Sequence, residues 1–357
     1  IDWEDKVNRN IIGILPGSDP QLSKEAIILE AYYDSISVVP TLAPGAENAV
    51  SLATLLELAD IFSQEQYRPK RSIVFLACSG HFEALSGSRE FVNLWGREPR
   101  KSRERRDRYD ELGRELEQLN KALESTRDEI TKMQERQREL AGSRAGLSPA
   151  QLERQEELAS RIIVGQLELD ADAAVLRVAR LQNDIERKQN EMVIWEALDQ
   201  FDKIHMFVGL DLSTHTPSLG AFQVGWYYAQ AHLLRFYSPL GKQLTNYAGD
   251  IATDLGLVQG LEQAEDPADI LAPFFVDGVN PVKGREWHTF FPGKIAFDHE
   301  MAIRGGRPAF TFTTVNDARQ FVDTPLDTPE RLQMDNLVSQ NRMLVNMLHK
   351  FLADTTL

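Results

Sequence analysis

The chain has 357 residues, with 39 Lys and Arg against 54 Asp and Glu for a formal charge of −15, and it is 42% hydrophobic and 26% charged. Its length suits two domains, or one large domain with an insertion. The acidic balance excludes nucleic acid as a main partner, because phosphate binding needs a basic surface. No run approaches the uninterrupted apolar length of a membrane-spanning helix. The single cysteine, Cys78, excludes an internal disulfide framework and any cysteine-based zinc cluster. It lies in the apolar run Ser72 to Cys78, where a buried, inert thiol is expected. The chain opens at Ile1 without an initiator Met or a signal peptide, as expected of a piece of something longer.

Residues 1–96 alternate short β-rich runs with one helix. Asn10 to Leu15 reads as a strand ending in the turn Pro16-Gly17-Ser18-Asp19-Pro20. Ala26 to Tyr33 is nearly all apolar, as a strand buried on both faces should be. Asn48 to Phe62 places Leu52, Leu55, Leu56, Leu58 and Ile61 at helical spacing, and Ser72 to Ala77 is a further buried strand. Strand, strand, helix, strand predicts an α/β domain with a mainly parallel sheet.

Residues 97–200 follow a different period. Leu112, Leu116, Leu119, Leu123, Thr126, Ile130, Met133, Gln137 and Leu140 alternate spacings of four and three, a heptad seam that stops at Ala141 to Leu147. Ser148-Pro149-Ala150-Gln151 has the serine, proline and glutamine of a helix start. Leu158, Ile162, Leu169 and Leu176 continue the pattern, and Val178, Leu181, Ile185, Met192 and Trp195 carry a second phase. An antiparallel coiled-coil hairpin with arms of about 55–75 Å is expected. Its length and charge suit an arm, spanning residues 103–195, that meets a protein partner.

Residues 201–357 return to the sheet. His205 to Leu212 is an apolar strand holding Asp211 near its end, Pro308 to Thr313 is another, and Leu332 to Leu352 is a closing amphipathic helix. Open α/β sheets bind ligands beyond the carboxyl ends of their strands, so the residues that follow each strand are the candidates for chemistry. They are Tyr32-Tyr33-Asp34-Ser35, Pro44-Gly45-Ala46-Glu47-Asn48-Ala49, Cys78-Ser79-Gly80-His81-Phe82-Glu83 with Ser86-Gly87-Ser88, then Asp211, Phe297-Asp298-His299, and Asp323-Thr324-Pro325-Leu326-Asp327-Thr328.

In this order and spacing, the set resembles the zinc aminopeptidase family of the bacterial leucyl aminopeptidases. The wider superfamily takes in glutaminyl cyclases, the transferrin receptor ectodomain and nicastrin. The resemblance covers nearly everything outside residues 97–200. It implies a three-layer exopeptidase-like α/β fold with a mixed, mostly parallel sheet, formed by residues 1–96 and 201–357. Such enzymes hold two zinc ions through imidazole and carboxylate ligands, with a further glutamate as general base. By the resemblance, the ligand positions fall on Tyr32, Glu47, Phe82, Asp211 and Asp323, and the general-base position on His81. Asp34, Glu83, Asp298 and His299 are the expected pocket neighbours. Only Asp211 is an unchanged ligand type.

Tyr32 and Phe82 put aromatic bulk where ions would sit, and no resident cofactor is expected. Three carboxylates, Glu47, Asp211 and Asp323, would converge and repel, raising their pKa values. His81, Arg304 or Arg319 would then offset them, or a hard cation such as Ca²⁺ or Mg²⁺. The main expectation is therefore a non-catalytic, extracytoplasmic scaffold that uses its arm, meeting a membrane only through segments outside this chain. The alternatives are a metallo-aminopeptidase using Glu83, His81 or His299 as atypical ligands, and a peptide- or cation-binding module without turnover. Neither a Gly-x-Ser-x-Gly elbow nor a dinucleotide fingerprint is present.

Overall fold

The computed structural model describes residues 8–96, 102–144, 156–227, 234–259, 261, 267–280, 289–291, 293 and 295–355. It divides into two compact units, Ile1–Gly96 with Leu198–Leu357, and Arg97–Ala197.

In chain order the first unit contains β1 (Ile11–Leu15), β2 (Glu25–Tyr32), α1 (Asn48–Ser63), β3 (Ser72–Cys78), α2 (Ser86–Gly96), β4 (Lys203–Asp211) and β5 (Leu219–Phe222). After the helices α5 (Leu234–Asp254) and α6 (Pro267–Leu271) come β6 (Phe275–Gly278), α7 (His299–Arg304), β7 (Ala309–Thr314) and α8 (Met334–Ala353). Among the described residues seven strands form one sheet in the order β1-β3-β2-β4-β7-β5-β6. β1 pairs antiparallel with β3, and β5 antiparallel with β7; the other four pairings are parallel. This is the mixed, mostly parallel sheet expected from the motif order.

β2 lies between β3 and β4 with Ala26 to Tyr32 all buried, which is why its sequence is a run rather than an alternation. The main core joins Ile27 and Leu29 of β2 to Leu55, Leu58 and Phe62 of α1, and to Leu344, Met347 and Phe351 of α8. The parallel strands β2, β3, β4 and β7 end on one edge of the sheet, so the loops after Tyr32, Cys78, Asp211 and Thr314 come together there. Glu47, at the N-cap of α1, makes no capping bond with its own side chain. Its N–H donates instead to Asp327 Oδ1 at 2.8 Å, a cap supplied from 280 residues away.

The second unit consists of α3 (Ser102–Arg144) and α4 (Glu156–Asp199), of 43 and 44 residues, each about 65 Å long at 1.5 Å per residue. Glu115 meets Lys188 at 2.8 Å and Glu129 meets Arg177 at 3.9 Å, so the helices run antiparallel. Along α3 the buried positions Leu112, Leu123 and Thr126 belong to the predicted heptad seam. Thr126 satisfies its hydroxyl on Ala122 O at 2.8 Å, which lets a polar residue occupy the seam. α3 continues through Ala141 to Arg144, past the predicted stop, while Ala145 to Leu147 and the helix start at Ser148 lie outside the described residues.

On α4 the less exposed positions include Ala174, Val178, Leu181, Ile185, Lys188, Met192 and Trp195, alternating four and three, joined near its end by the buried Glu191, Ile194 and Leu198. Leu176 does not join that seam as expected: it is 62% exposed. At 100° per residue it stands about 180° around the helix from Ile185, where it cannot reach α3. The side chains of Leu158, Ile162 and Leu169 are outside the described set. Among the described residues no helix is long and apolar enough to cross a membrane.

Candidate functional site

A cavity of about 610 Å³ opens where the strand-end loops of the first unit meet. Of the residues singled out in the sequence, Tyr32, His81, Phe82, Asp211 and Asp323 line it; Glu47, Asp34, Glu83, Asp298 and His299 do not. Asn48, Trp226, Tyr227 and Arg319 complete its polar and aromatic walls. Tyr32 and His81 stack with ring centroids 4.0 Å apart and planes at 19°. Phe82 meets both edge-on, at 4.9 Å from His81 and 6.0 Å from Tyr32. The three rings thus pack against one another at the ends of β2 and β3.

Asp211 is buried at the end of β4, and its charge is matched from inside the protein. Arg319 Nη1 donates to Asp211 Oδ1 at 2.8 Å, while Nη2 donates to Asp211 O at 2.9 Å and to Thr313 Oγ1 at 3.0 Å. Burial alone would discharge Arg319, but the Asp211 carboxylate outweighs it and raises the guanidinium pKa. Of the two arginines considered from the sequence, Arg319 fills the role; Arg304 is exposed at the end of α7. The backbone bends to bring it in. Arg319 has φ 46°, and among the described residues the non-glycine residues with positive φ (Ala84, Leu85, Asn316, Arg319 and Asp323) all lie in the loops after β3 and β7. Left-handed backbone at side-chain-bearing residues costs about 1–3 kcal/mol each and concentrates at binding sites.

Glu47 corrects the picture of three converging carboxylates. One methylene longer than an aspartate, it reaches away from the cavity to Thr214, whose N–H and Oγ1 donate to its two oxygens at 2.9 and 2.6 Å. His215 Nδ1 stands 3.0 Å from Glu47 and 3.7 Å from Asp317. Burial raises the Glu47 pKa against the opposing bonds from Thr214. Asp317 moves the other way, because the N–H groups of Arg319 and His215 and the Ser213 hydroxyl outweigh its burial. His215, Thr214 and Asp317 escaped the sequence reading. The available signal was Ser213-Thr214-His215 directly after the strand-end Asp211.

Beside the cavity, His81 Nδ1 lies 2.5 Å from Asp298 Oδ2, and its N–H donates to Asp34 Oδ1 at 3.2 Å. Burial works against a charged imidazole here, and the Asp298 carboxylate overcomes it, raising the His81 pKa. Asp323 is held with a raised pKa, mainly by burial, beside Asn48. Glu83 is exposed. His299 is fully buried with Nδ1 2.6 Å from Thr311 Oγ1, and burial lowers its pKa to about 4. Glu30, two residues before Tyr32, is buried with a strongly raised pKa, through burial and then the Asp298 and Asp211 carboxylates.

These side chains do not fit a zinc pair. The Asp211 carboxylate already carries a guanidinium, Glu47 is bonded elsewhere, and tyrosine and phenylalanine occupy two ligand positions. Among the described residues no three His, Cys, Asp or Glu side chains gather as an ion-binding group.

Tyr32, Asn48, His81, Phe82 and Ala84 of this cavity come from the first third of the chain, and a family model matches there. Residues 10–141 match the model of peptidase family M28. The match runs from β1 through β2, α1, β3 and α2 into α3, and so takes in Tyr32, Glu47, His81 and Phe82. The match agrees with the superfamily that the motif order resembles, over the first third of an α/β fold with a mixed sheet. Comparison with curated proteins finds no match.

Solved structures similar to the chain include a zinc aminopeptidase from Bacillus subtilis, at 11% identity and a TM-score of 0.45, covering 97% of this chain and 50% of that one. A glutaminyl cyclase from Macrostomum lignano is similar at 14% identity and a TM-score of 0.49, over 98% of this chain and 73% of that one. The gamma-secretase component nicastrin is similar at 10% identity and a TM-score of 0.45, over 97% and 44%. The chain spans about half the length of the aminopeptidases first in this comparison.

Proposed function

We propose that the chain is a peptidase-fold module that binds rather than hydrolyses, and that it meets a protein partner through the coiled-coil arm of residues 103–195. The observation that carries this reading is the Arg319 guanidinium on Asp211 at 2.8 Å. A fixed positive charge on the one unchanged ligand type opposes binding of a divalent cation at the same oxygen. Resemblance to a family whose members are often secreted or membrane-tethered supports an extracytoplasmic place.

The M28 match favours a second reading, a zinc aminopeptidase with atypical ligands. That reading needs His81, Glu83 or His299 to move, since His81 is held by Asp298, Glu83 is exposed and His299 is buried on Thr311. Elemental analysis after incubation with zinc, together with assays on aminoacyl chromogenic substrates, separates the two. Binding without hydrolysis predicts no stoichiometric zinc and no turnover, and loss of partner capture when residues 103–195 are deleted. Stoichiometric zinc with turnover abolished by Glu47→Ala would sink it. A third reading, a peptide- or cation-binding module, rests on the 610 Å³ cavity. It predicts a raised Tm with peptides or divalent ions and no turnover.

A further inference from the structure

Among the described residues of the second unit, the face of α4 opposite its seam around Leu176 meets no partner. Leu176 is 62% exposed there, with Val175, 54% exposed, about 100° around the helix from it, and the other side of the helix meets α3. Exposed apolar surface rimmed by polar residues marks interaction sites where it is contiguous. Around Leu176 the exposed residues form a near-symmetric pattern. Ala173 and Ala179 lie three residues to either side, and Asp172 and Arg180 four. At 100° per residue all four fall within about 60° of Leu176, so they share its face. Neither Asp172 nor Arg180 forms an ion pair among the described residues.

This symmetry specifies the occupant. An identical helix laid antiparallel on the face, about a two-fold axis at Leu176, sets Leu176 against Leu176 of the second copy. Each Ala173 then faces Ala179 of the other copy, and the two small side chains let the helix axes approach closely. Each Asp172 faces Arg180 of the other copy, twice over, so opposite charges meet across the contact without any change in sequence. A two-fold contact of this kind is self-complementary by construction. A parallel arrangement would place Asp172 on Asp172 and Arg180 on Arg180.

We propose that α4 is the docking surface for a second copy of this chain, the two α4 helices packing antiparallel about Leu176. The proposal rests on the reading that the arm works by contact, and it names the first contact the arm makes.

Sedimentation equilibrium of the full 357-residue chain tests it, with far-UV circular dichroism to confirm that each variant keeps its helices. The expected result is a monomer–dimer equilibrium abolished by Leu176→Glu. Asp172→Arg and Arg180→Asp each raise the dissociation constant about tenfold or more, as like charges then meet. The doubly exchanged chain, Asp172→Arg with Arg180→Asp, recovers the dimer. Leu176→Cys should also give a disulfide-linked dimer under mild oxidation, with the buried Cys78 silent. A chain that stays monomeric at every concentration, or a dimer indifferent to both charge reversals, overturns the proposal. Monomeric behaviour leaves the binding role without hydrolysis standing, whereas zinc-dependent turnover would overturn that role and leave the α4 pairing untouched.

Discussion

A carboxylate buried as deeply as Asp298 needs a positive partner, and the one in reach is His81, 2.5 Å away and only 12% exposed at its side chain. The pair sets a pH dependence whose sign follows from the raised His81 pKa. Stability from a raised histidine pKa is fully present below the unfolded value of about 6.5 and disappears as pH rises through the folded value. Asp298→Asn should therefore destabilise the protein most at pH near 5.5, by about 3 kcal/mol as for other broken buried pairs. The gap should close as the medium becomes alkaline. Urea unfolding of both proteins across that range measures it; a gap that widens with rising pH contradicts the pairing. Of the residues around the cavity, those at or just after strand ends were legible: Tyr32 and Asp211 close β2 and β4, and His81 and Phe82 follow β3 within a few positions. The direction of Glu47 was not, because the reach of one extra methylene toward Thr214 depends on a loop 167 residues away. Nor does the sequence separate Arg319 from Arg304, since the difference lies in a left-handed backbone at Arg319.

At the scale of elements, periodicity located the long pieces and missed the short ones. α1, α8, β2, β3, β4 and β7 carry runs or stripes long enough to read, whereas β5 and β6 are four residues each, too short for a period to repeat. Leu176 looked like seam because its spacing from Leu169 is a heptad, yet seven-residue spacing fixes only a shared stripe, and α4 has two. Capping was equally hidden. The N-terminus of α1 is held by Asp327, which accepts the Glu47 N–H and lies in the loop before α8. Asp327→Ala should cost about 1–2 kcal/mol through loss of that cap. It should also loosen the loop that presents Asp323 to the cavity, which neighbouring exposed substitutions such as Leu326→Ala would not do. Chemical denaturation of the two variants compares them, and equal losses would mean that the cap contributes nothing.

At the scale of the whole molecule, the two units are held together by different means. The α/β unit encloses one large apolar core linking β2, α1, α5 and α8. The helix pair has a narrow seam that includes Leu112, Leu123, Ala174 and Ile185 and is edged by the Glu115–Lys188 pair, and its exposed described residues are mostly charged or polar apart from Val175, Leu176 and Val193. Exposed and half-exposed ion pairs of this sort add little, about 0–1 kcal/mol each, so the seam carries the helix pair's stability. Separate cores of such unequal size should not melt as one all-or-none step. Heating followed at 222 nm should therefore show an early loss of helix from residues 102–199 before the main transition of the α/β unit. Ile185→Ala, which removes buried seam volume worth about 2–5 kcal/mol, should move the early step to lower temperature and leave the later one in place. Phe351→Ala in α8 should do the reverse, because its ring packs against Phe310 in the other core. A single transition displaced equally by both changes would show that the units share their stability. In that case a partner gripping the arm would stabilise the strand-end cavity as well.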